Sequence, residues 1–442
     1  MLQVISVSKR VLLLAAVDYA LMIAVFVAAT FLAGPMVASI YLLYEGGLMA
    51  ASLAAAFGLF GLYLTGKYSD VRVLSRVSLL VELCQVFGII FIGQAIVTYI
   101  DQGLSLNSQV LLMGSVLGVL GLFGWRIAYS GVLWAHLPAD VVLFLGSDPD
   151  VVRTIQWVRA HPSIGINVIG YIGDPAAQRP ELKNLGGMDA LDRVLEAVRP
   201  TRVVVAHRDH RVAGLQRCLF DLHLRRTPIE RYASFYERVL RRVCTSQLRP
   251  AAVIFDRELD ARPRSLALQS IYTNLLALVF AVVLSPLMIV LALAVRLTSR
   301  GPALRGHPRL GLNSVPFRMY EFRCHDSAGR LTGIGAWLRR RHLHTLPHLL
   351  NVVRGEMALI GPRPERPEFA AQICQHIPYA AQRRTVRPGL IGWSQLKCVG
   401  DLADEVTRIE HDLYYIKHIS LPLDAYIILT SIRMALGSVR GG

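Results

Sequence analysis

The sequence predicts an α-helical membrane domain followed by α/β structure, and three observations support that fold class. Over 442 residues the mean hydropathy is +0.44 and only 18% of residues are charged, against about 25% in ordinary soluble domains. Long apolar stretches are followed by a segment in which strand and helix patterns alternate. The formal charge of +16 favours anionic headgroups or phosphorylated substrates as partners, rather than nucleic acid.

The N-terminal part, 1–135, is predicted to be a four-helix transmembrane bundle. Its apolar stretches each approach the roughly 20 residues that a helix needs to cross the hydrocarbon; they are 11–33, 46–66, 78–100 and 108–131. Lys9 and Arg10 precede the first stretch, and Lys67 and Arg72 lie between the second and the third. Because basic loops stay in the cytoplasm, we expect a cytoplasmic N-terminus. Asp18 inside the first stretch is interpreted as an interfacial or interhelical pairing residue.

The middle part, 139–258, is predicted to be a small Rossmann-like α/β module, since short apolar runs at 141–147, 166–174 and 203–207 alternate with helical patterns. A dinucleotide site would need G-x-G-x-x-G after the first strand. Only Gly146 is present there, and Asp148 and Asp150 would repel phosphate. We therefore expect a structural or docking role for this module.

A fifth apolar segment opens the C-terminal part, 265–442. Ser285 and Pro286 interrupt its centre, and a proline there predicts a kink or break. The residues that follow the segment are strongly basic. Because a full crossing would place this basic domain outside the cell, against the positive-inside tendency, we predict a re-entrant membrane helix over 272–297 and a mainly helical cytoplasmic domain after it.

Three motifs lie in the C-terminal part: RGPALRGHPRLGLNSVPFRMYEFR (300–323), LRRRHLHTLPHLLNVVRGEMALIGPRP (338–364) and RPGLIGWSQL (387–396). Their order and spacing resemble the bacterial sugar transferase family, the monotopic phosphoglycosyl transferases. The resemblance is closest to the large members of exopolysaccharide systems, including those that accompany exosortase genes.

The resemblance implies transfer of a sugar-1-phosphate from a UDP-sugar to undecaprenyl phosphate at the bacterial inner membrane, with Mg²⁺ as cofactor. A homodimer or an active paralogue is a further possible partner. Arginine suits such phosphate substrates because its planar fork pairs phosphate oxygens bidentately. The residues assigned to phosphate or substrate binding are Arg309, Arg323, Arg339, Arg363, His307 and His348.

The chain departs from the family at the catalytic motif. Family members carry an Asp-Glu pair before Leu-Pro-Gln, in which the aspartate is the nucleophile and the glutamate holds Mg²⁺; this chain has His344 and Thr345. A glutamine of the family is His307 here, and a lysine is Glu321. The scaffold prolines and glycines of the motifs match, so the polar chemistry has changed while the architecture is kept.

Three explanations remain open. In the first, His344 replaces the aspartate as nucleophile, since imidazole forms covalent phosphoryl adducts, and Glu356, Glu321 or Asp326 supplies the metal oxygen that Thr345 cannot. In the second, the protein is a catalytically inactive scaffold or regulator of a polysaccharide assembly. In the third, His307, His342, His344 and His348 form a transition-metal site.

Overall fold

The computed structural model divides the chain into two compact units, Met1–Ala139 and Asp140–Gly442. It describes residues 9–65, 76–136, 140–146, 148–161, 164–173, 183–187, 190–206, 215–224, 227–248, 250–255, 257–298, 300–326, 329–377, 379–398 and 404–439. Lys67 and Arg72, on which part of the predicted orientation rests, lie outside these residues. The division into 1–135, 139–258 and 265–442 stays a prediction.

The first unit is helical, as its apolar stretches predict. Its helices are α1 (Lys9–Ala33), α2 (Ala38–Tyr44), α3 (Gly47–Leu64), α4 (Arg76–Ile100) and α5 (Ser108–His136). Four segments are long and apolar enough to cross a membrane: Leu13–Ala33, Gly47–Leu64, Leu79–Ile100 and Gln102–Gly131. The short helix α2 was not anticipated.

Small side chains allow the long helices of this unit to approach closely. Helix α1 packs against α3 and α5, and α4 packs against the same two helices. On α3, Ala50, Ala51, Ala54 and Ala55 are fully buried. Helices in a membrane associate through such close packing, because lipid tails are as apolar as leucine.

An ion pair joins α1 to α5 inside this unit. Asp18 and Arg126 are both buried, and Arg126 Nη2 donates to Asp18 Oδ2 at 2.5 Å. The interhelical pairing expected for Asp18 is therefore observed. Helix α5 extends to His136, five residues beyond the apolar stretch 108–131 from which it was predicted.

The second unit begins with the predicted α/β alternation. Its elements are β1 (Asp140–Leu145), α6 (Pro149–Ala160), β2 (Ile166–Ile172), α7 (Leu191–Val198), β3 (Arg202–Val205), α8 (Leu215–Leu224), β4 (Ile229–Arg231) and α9 (Tyr232–Leu240). The strands form a parallel sheet in the order β2-β1-β3-β4. Strand β4 was missed, because three residues carry no readable alternation.

The aspartates that follow β1 are hydrogen-bonded to the protein's own chain. Ser246 Oγ donates to Asp150 Oδ2 at 2.5 Å, and Gln247 Nε2 donates to Asp148 Oδ2 at 3.0 Å. The neighbouring Thr245 donates its backbone N–H to Glu410 Oε1 at 3.1 Å. These aspartates therefore connect the α/β module to the segment that contacts the C-terminal helices.

The rest of the second unit is mainly helical with two small sheets. It contains α10 (Pro250–Ile254), α11 (Pro263–Thr298), β5 (Leu304–Leu310), β6 (Pro316–Phe322), α12 (Gly333–Arg340), α13 (His348–Val353), β7 (Ala358–Ile360), α14 (Pro367–His376), β8 (Gly389–Ile391), α15 (Trp393–Lys397), α16 (Glu405–Lys417) and α17 (Leu421–Val439). Strands β5 and β6 pair antiparallel, whereas β7 and β8 pair parallel. The core beneath them includes Leu349, Ile360, Ile409 and Ile427.

Helix α11 runs from Pro263 to Thr298 and is not interrupted at Pro286. Pro286 has no N–H to donate to the Val282 carbonyl one turn earlier. The Ser285 hydroxyl donates to that carbonyl at 2.7 Å instead. A side chain thus replaces the lost backbone bond, and the break expected at Ser285 and Pro286 does not divide the helix into two.

Both ends of α11 pack against the C-terminal domain. Near the first end, Gln269 is buried and donates to Asp424 Oδ2 at 2.9 Å. Near the second end, Leu291 and Val295 pack in a cluster with Phe322 and Leu338. The helix between these contacts exposes mostly apolar side chains. The two ends of this apolar helix are therefore held by one compact unit.

Candidate active site

The β5–β6 hairpin presents the first polar residues of the candidate site. His307 pairs with Met319 across the hairpin and Arg305 pairs with Glu321. Because side chains alternate between the two faces of a strand, His307, Glu321 and Arg309 lie on the same face of the hairpin. A carboxylate is thus placed diagonally opposite a histidine.

A turn between α12 and α13 brings two further histidines, His344 and His348, to this face. His342 adopts a left-handed backbone with φ 54°, and a 3₁₀ turn over Leu343–Thr345 follows it. His348 then begins α13. Asn351 fixes α13 to β6, since its Nδ2 donates to the Arg318 carbonyl at 2.7 Å. The anchored helix sets the distance between His348 and the hairpin.

Glu321 is the centre of the resulting cluster. Its Oε1 lies 3.3 Å from His348 Nε2, and both groups are largely shielded, with side chains 24% and 8% exposed. This hydrogen bond lowers the pKa of Glu321 against the opposing effect of burial, and the nearby His307 and His344 lower it further. The structure therefore keeps an ionised carboxylate among three imidazoles.

His344 is half-buried beside this carboxylate. Burial lowers its pKa, while the charge of Glu321 and a hydrogen bond to the Leu338 backbone act in the opposite direction. The charges of His342 and Arg339 also lower it. The net direction is downward, so the imidazole is neutral near pH 7 and retains a nitrogen lone pair.

Arginines extend the site along β5. Burial lowers the pKa of Arg309, and the charges of Arg366 and Arg363 add to that effect. The same Arg366 and Arg309 charges act on His307, whose pKa is lowered first by burial. Three guanidinium groups are therefore close enough to repel one another, an arrangement that an anion would stabilise.

Arg363 is exposed on the loop formed by residues 361–364, which two glycines hold in place. Gly389 N donates to the Pro362 carbonyl at 2.8 Å. A Cβ added to Gly389 would lie 2.0 Å from the nitrogen of Gly361, so no side chain fits between these backbones. Leu310 N also donates to the Glu365 carbonyl at 3.0 Å, which ties the loop to the strand that carries Arg309.

A shallow pocket lies beside this loop; it is lined by Leu310, Gly311, Pro362, Arg363, Pro364, Glu365, Arg383, Arg384, Val386 and Pro388. Arg383 at its wall is buried and bridges two carboxylates: Nη1 lies 2.7 Å from Glu365 Oε1 and Nη2 lies 2.7 Å from Asp412 Oδ2. Arg383 is thus a structural cation, whereas Arg363 is exposed and available to a ligand.

Three of the predicted site residues lie in other surroundings. Arg323 Nη1 donates to the Arg300 carbonyl at 2.5 Å and covers Gly301. The Thr345 hydroxyl donates to the His342 carbonyl at 2.9 Å. Glu356 accepts a hydrogen bond from Asn351 Nδ2 at 2.6 Å. Arg309, Arg339, Arg363, His307, His344 and His348 do share the charges of one site.

The oxygen ligands required by Mg²⁺ are not assembled at the family's motif position. Mg²⁺ prefers anionic oxygens in octahedral geometry, and Thr345 and Glu356 are engaged as described above. Asp326, the remaining candidate, pairs with Arg330 at 3.2 Å. Among the described residues, no group of three or more His, Cys, Asp or Glu side chains is arranged to hold a metal ion. The residues present therefore do not fit the implied cation.

Sequence reasoning missed the role of two residues. Glu321 was noted as a departure from the family pattern and as a candidate oxygen ligand, but its pairing with His348 was not foreseen. The sequence signal was that two positions differ from the family pattern together: an acidic residue, Glu321, replaces a lysine, and a basic one, His344, replaces an aspartate. Arg366 follows the recognised loop by two residues and was overlooked, although RPERP repeats the basic pattern.

Comparison with known proteins agrees with this architecture. Residues 265–438 match the family model described as bacterial sugar transferase. The chain is 34% identical over 202 residues to a UDP-glucose:undecaprenyl-phosphate glucose-1-phosphate transferase of Caulobacter vibrioides, covering 42% of this chain and 73% of that protein. The chain belongs to the bacterial sugar transferase family.

Two further relatives show how far the similarity extends. A UDP-N-acetylgalactosamine-undecaprenyl-phosphate N-acetylgalactosaminephosphotransferase of Aeromonas hydrophila is 38% identical over 179 residues, which cover 37% of this chain and 42% of that protein. A UDP-glucose:undecaprenyl-phosphate glucose-1-phosphate transferase of Xanthomonas campestris pv. campestris is 29% identical over 324 residues, 66% of each chain. The chain thus spans between about two fifths and two thirds of these relatives.

Proposed function

We propose that the protein transfers a sugar-1-phosphate from a UDP-sugar to a polyprenyl phosphate in exopolysaccharide biosynthesis at the bacterial inner membrane. The observation that carries this proposal is the convergence of His344 with exposed and half-buried arginines on a domain that matches the sugar transferase model. Relatives named for this transfer, on UDP-glucose and UDP-N-acetylgalactosamine, support it.

The membrane arrangement in this proposal is a four-helix transmembrane bundle followed by a re-entrant α11. The 36 residues of α11 give it a contour length of about 54 Å, longer than the roughly 30 Å hydrocarbon core. Gln269 near one end and Val295 near the other both contact the same domain. Such contacts favour a helix that enters and leaves on the cytoplasmic face, with its N-terminus and soluble parts in the cytoplasm.

The reaction proceeds through His344. A ring nitrogen attacks the phosphorus that carries the sugar, and the N–P bond forms as the bond to the bridging oxygen breaks, so that UMP leaves with that oxygen. An oxygen of the polyprenyl phosphate then attacks the same phosphorus and displaces the neutral imidazole. The other ring nitrogen keeps its proton throughout. Arg309, Arg339 and Arg363 offset the charge of the phosphates.

The test uses the full chain in lipid nanodiscs with undecaprenyl phosphate and a panel of UDP-hexoses and UDP-N-acetylhexosamines, with UMP release and lipid-linked product as readouts. His344→Ala should abolish turnover, whereas His376→Ala, an exposed histidine on α14, should not. The trapped intermediate should be acid-labile and stable to alkali, as expected of a phosphoramidate. An adduct that alkali cleaves would indicate a carboxylate nucleophile instead.

The replaced Asp-Glu pair favours one alternative, a catalytically inactive scaffold. That role requires no turnover with any donor in the panel, together with retention of an intact transferase on the immobilised protein. Turnover by the wild-type chain would exclude it.

A further inference from the structure

The charges around His344 and His307 are mostly positive. The strongest influences on His307 are Glu321, Arg305, Arg309 and Arg366, in addition to burial. Those on His344 are Glu321, His342 and Arg339, in addition to burial and a backbone hydrogen bond. Glu321 is the carboxylate in both sets. The charges of four arginines act on these two histidines, and the carboxylates that oppose them are Glu321 and, at Arg309, Glu368. This excess of positive charge favours an anion over a cation.

Glu321 is itself committed to a histidine. Its 3.3 Å contact with His348 is largely shielded from solvent, so a divalent cation would have to displace an imidazole to reach this oxygen. The oxygens of Thr345 and Glu356 are used within the fold: the Thr345 hydroxyl donates to the His342 carbonyl, and Glu356 accepts from Asn351. A hard cation would thus meet few oxygen ligands and several like charges.

An anionic ligand meets positive charges and hydrogen-bond donors at this site. His307 and Arg309 project from the same face of β5, and Arg363 lies on the adjoining loop, close enough for its charge to act on Arg309. A guanidinium donates two parallel hydrogen bonds to phosphate oxygens, and these bonds need no intervening metal. Because these groups lie on two elements, one hairpin and one loop, they offer hydrogen-bond donors to more than one phosphate of an extended ligand.

We propose that this site binds the diphosphate of its nucleotide substrate directly through arginine and histidine side chains, without a divalent cation, and that Glu321 is a positioning residue that holds His348. This inference rests on the proposed function and deepens it, since it states how the donor is held. It departs from the Mg²⁺ requirement that the family resemblance implies, because the residues of this chain do not supply the oxygen ligands.

The experiment measures UDP binding, so it reads the site whether or not the protein turns over. The full chain in phosphatidylcholine nanodiscs is titrated calorimetrically with UDP, once in EDTA and once in Mg²⁺. The two dissociation constants should agree within about twofold, whereas a bridging metal would separate them by about tenfold or more. Binding that requires Mg²⁺ overturns the inference and leaves the proposed function standing; no binding under either condition overturns both.

Two variants test whether Glu321 or a divalent cation takes part in UDP binding. Asp260→Asn, which changes an exposed carboxylate elsewhere in the unit, is the matched control. Glu321→Gln removes a negative charge that repels the diphosphate and keeps a hydrogen-bond acceptor for His348, so UDP should bind more tightly than to the wild type, in EDTA. If Glu321 were a metal ligand, the same change would weaken binding in Mg²⁺. Thr345→Glu adds a carboxylate and should weaken UDP binding in EDTA, with recovery in Mg²⁺.

Discussion

Arg383 allows a test of whether its buried ion pairs stabilise the wall of the pocket. Its side chain is 7% exposed and lies 2.7 Å from each of two carboxylates, Glu365 and Asp412, whose side chains are 8% and 1% exposed. Burial raises the pKa of both carboxyl groups, and the Arg383 charge opposes that rise. Replacing Arg383 by methionine keeps similar bulk and leaves two buried carboxylates without their cation.

The size of the effect follows from the free energy needed to protonate one of the two carboxylates that lose Arg383. A glutamate carboxyl ordinarily titrates near about 4.3, so keeping one neutral at about pH 7 costs roughly three pH units, or about 4 kcal/mol. This agrees with the roughly 3–5 kcal/mol found when one partner of a buried ion pair is removed. At about 2–4 °C per kcal/mol for a domain of this size, Arg383→Met should lower the unfolding temperature by roughly 10 °C.

The sign of the pH dependence distinguishes this mechanism from lost packing. A carboxyl whose folded pKa is raised destabilises the protein increasingly as pH rises above its unfolded value. The deficit of Arg383→Met should therefore shrink to a few °C near about pH 5, where neutralisation costs about 1 kcal/mol. Thermal unfolding in detergent, followed by intrinsic fluorescence across this pH range, measures it.

Two controls complete this test. Arg257→Met changes an arginine whose side chain is 80% exposed and should leave the unfolding temperature within about 1–2 °C of the wild type. Combining Arg383→Met with Asp412→Asn removes one of the two stranded charges and should recover part of the loss. An equal deficit at both ends of the pH range would refute the electrostatic reasoning and leave packing as the cause.

Three further predictions concern separate parts of the molecule. Gly301→Ala should lower the free energy of unfolding by about 1–3 kcal/mol, since a residue with a Cβ is strained at this φ of +121° and the added Cβ would lie 2.1 Å from Arg323 Nη1; an unchanged melting temperature would contradict this. Asp18→Ala should destabilise the membrane unit by about 3–5 kcal/mol in detergent unfolding, because Arg126 is left buried, and a loss below about 1 kcal/mol would contradict this. The pH–rate profile of transfer should fall only below the ordinary imidazole pKa of 6.5, because burial lowers that of His344; a decline beginning above it would be inconsistent with a neutral imidazole nucleophile.

The sequence predicted the elements of the fold well where a single periodicity governed them. Each of the four N-terminal apolar stretches contains a helix long and apolar enough to cross a membrane, since this prediction needs only length and apolarity. The parallel alternation in the middle of the chain was also confirmed. Strand β4 and helix α2 were missed because both are short, so neither offers enough residues for a pattern.

Local rules predicted a kink or break in the backbone at Ser285 and Pro286, and helix α11 is continuous through both residues. Proline at position 286 predicts a lost hydrogen bond, and that loss does occur. The Ser285 hydroxyl satisfies the Val282 carbonyl that the proline leaves without its backbone donor, and the helix continues.

For the site, the sequence by itself determined which residue types were present: the arginines, the histidines in place of acidic residues, and the motifs of a sugar transferase. Only the tertiary structure decided which of them act together. Glu321 and His348 are 27 residues apart in the chain, yet they lie 3.3 Å apart across β6 and α13. Electrostatic energy depends on distance and burial, and neither is encoded locally, so the charge that His344 experiences is set by packing.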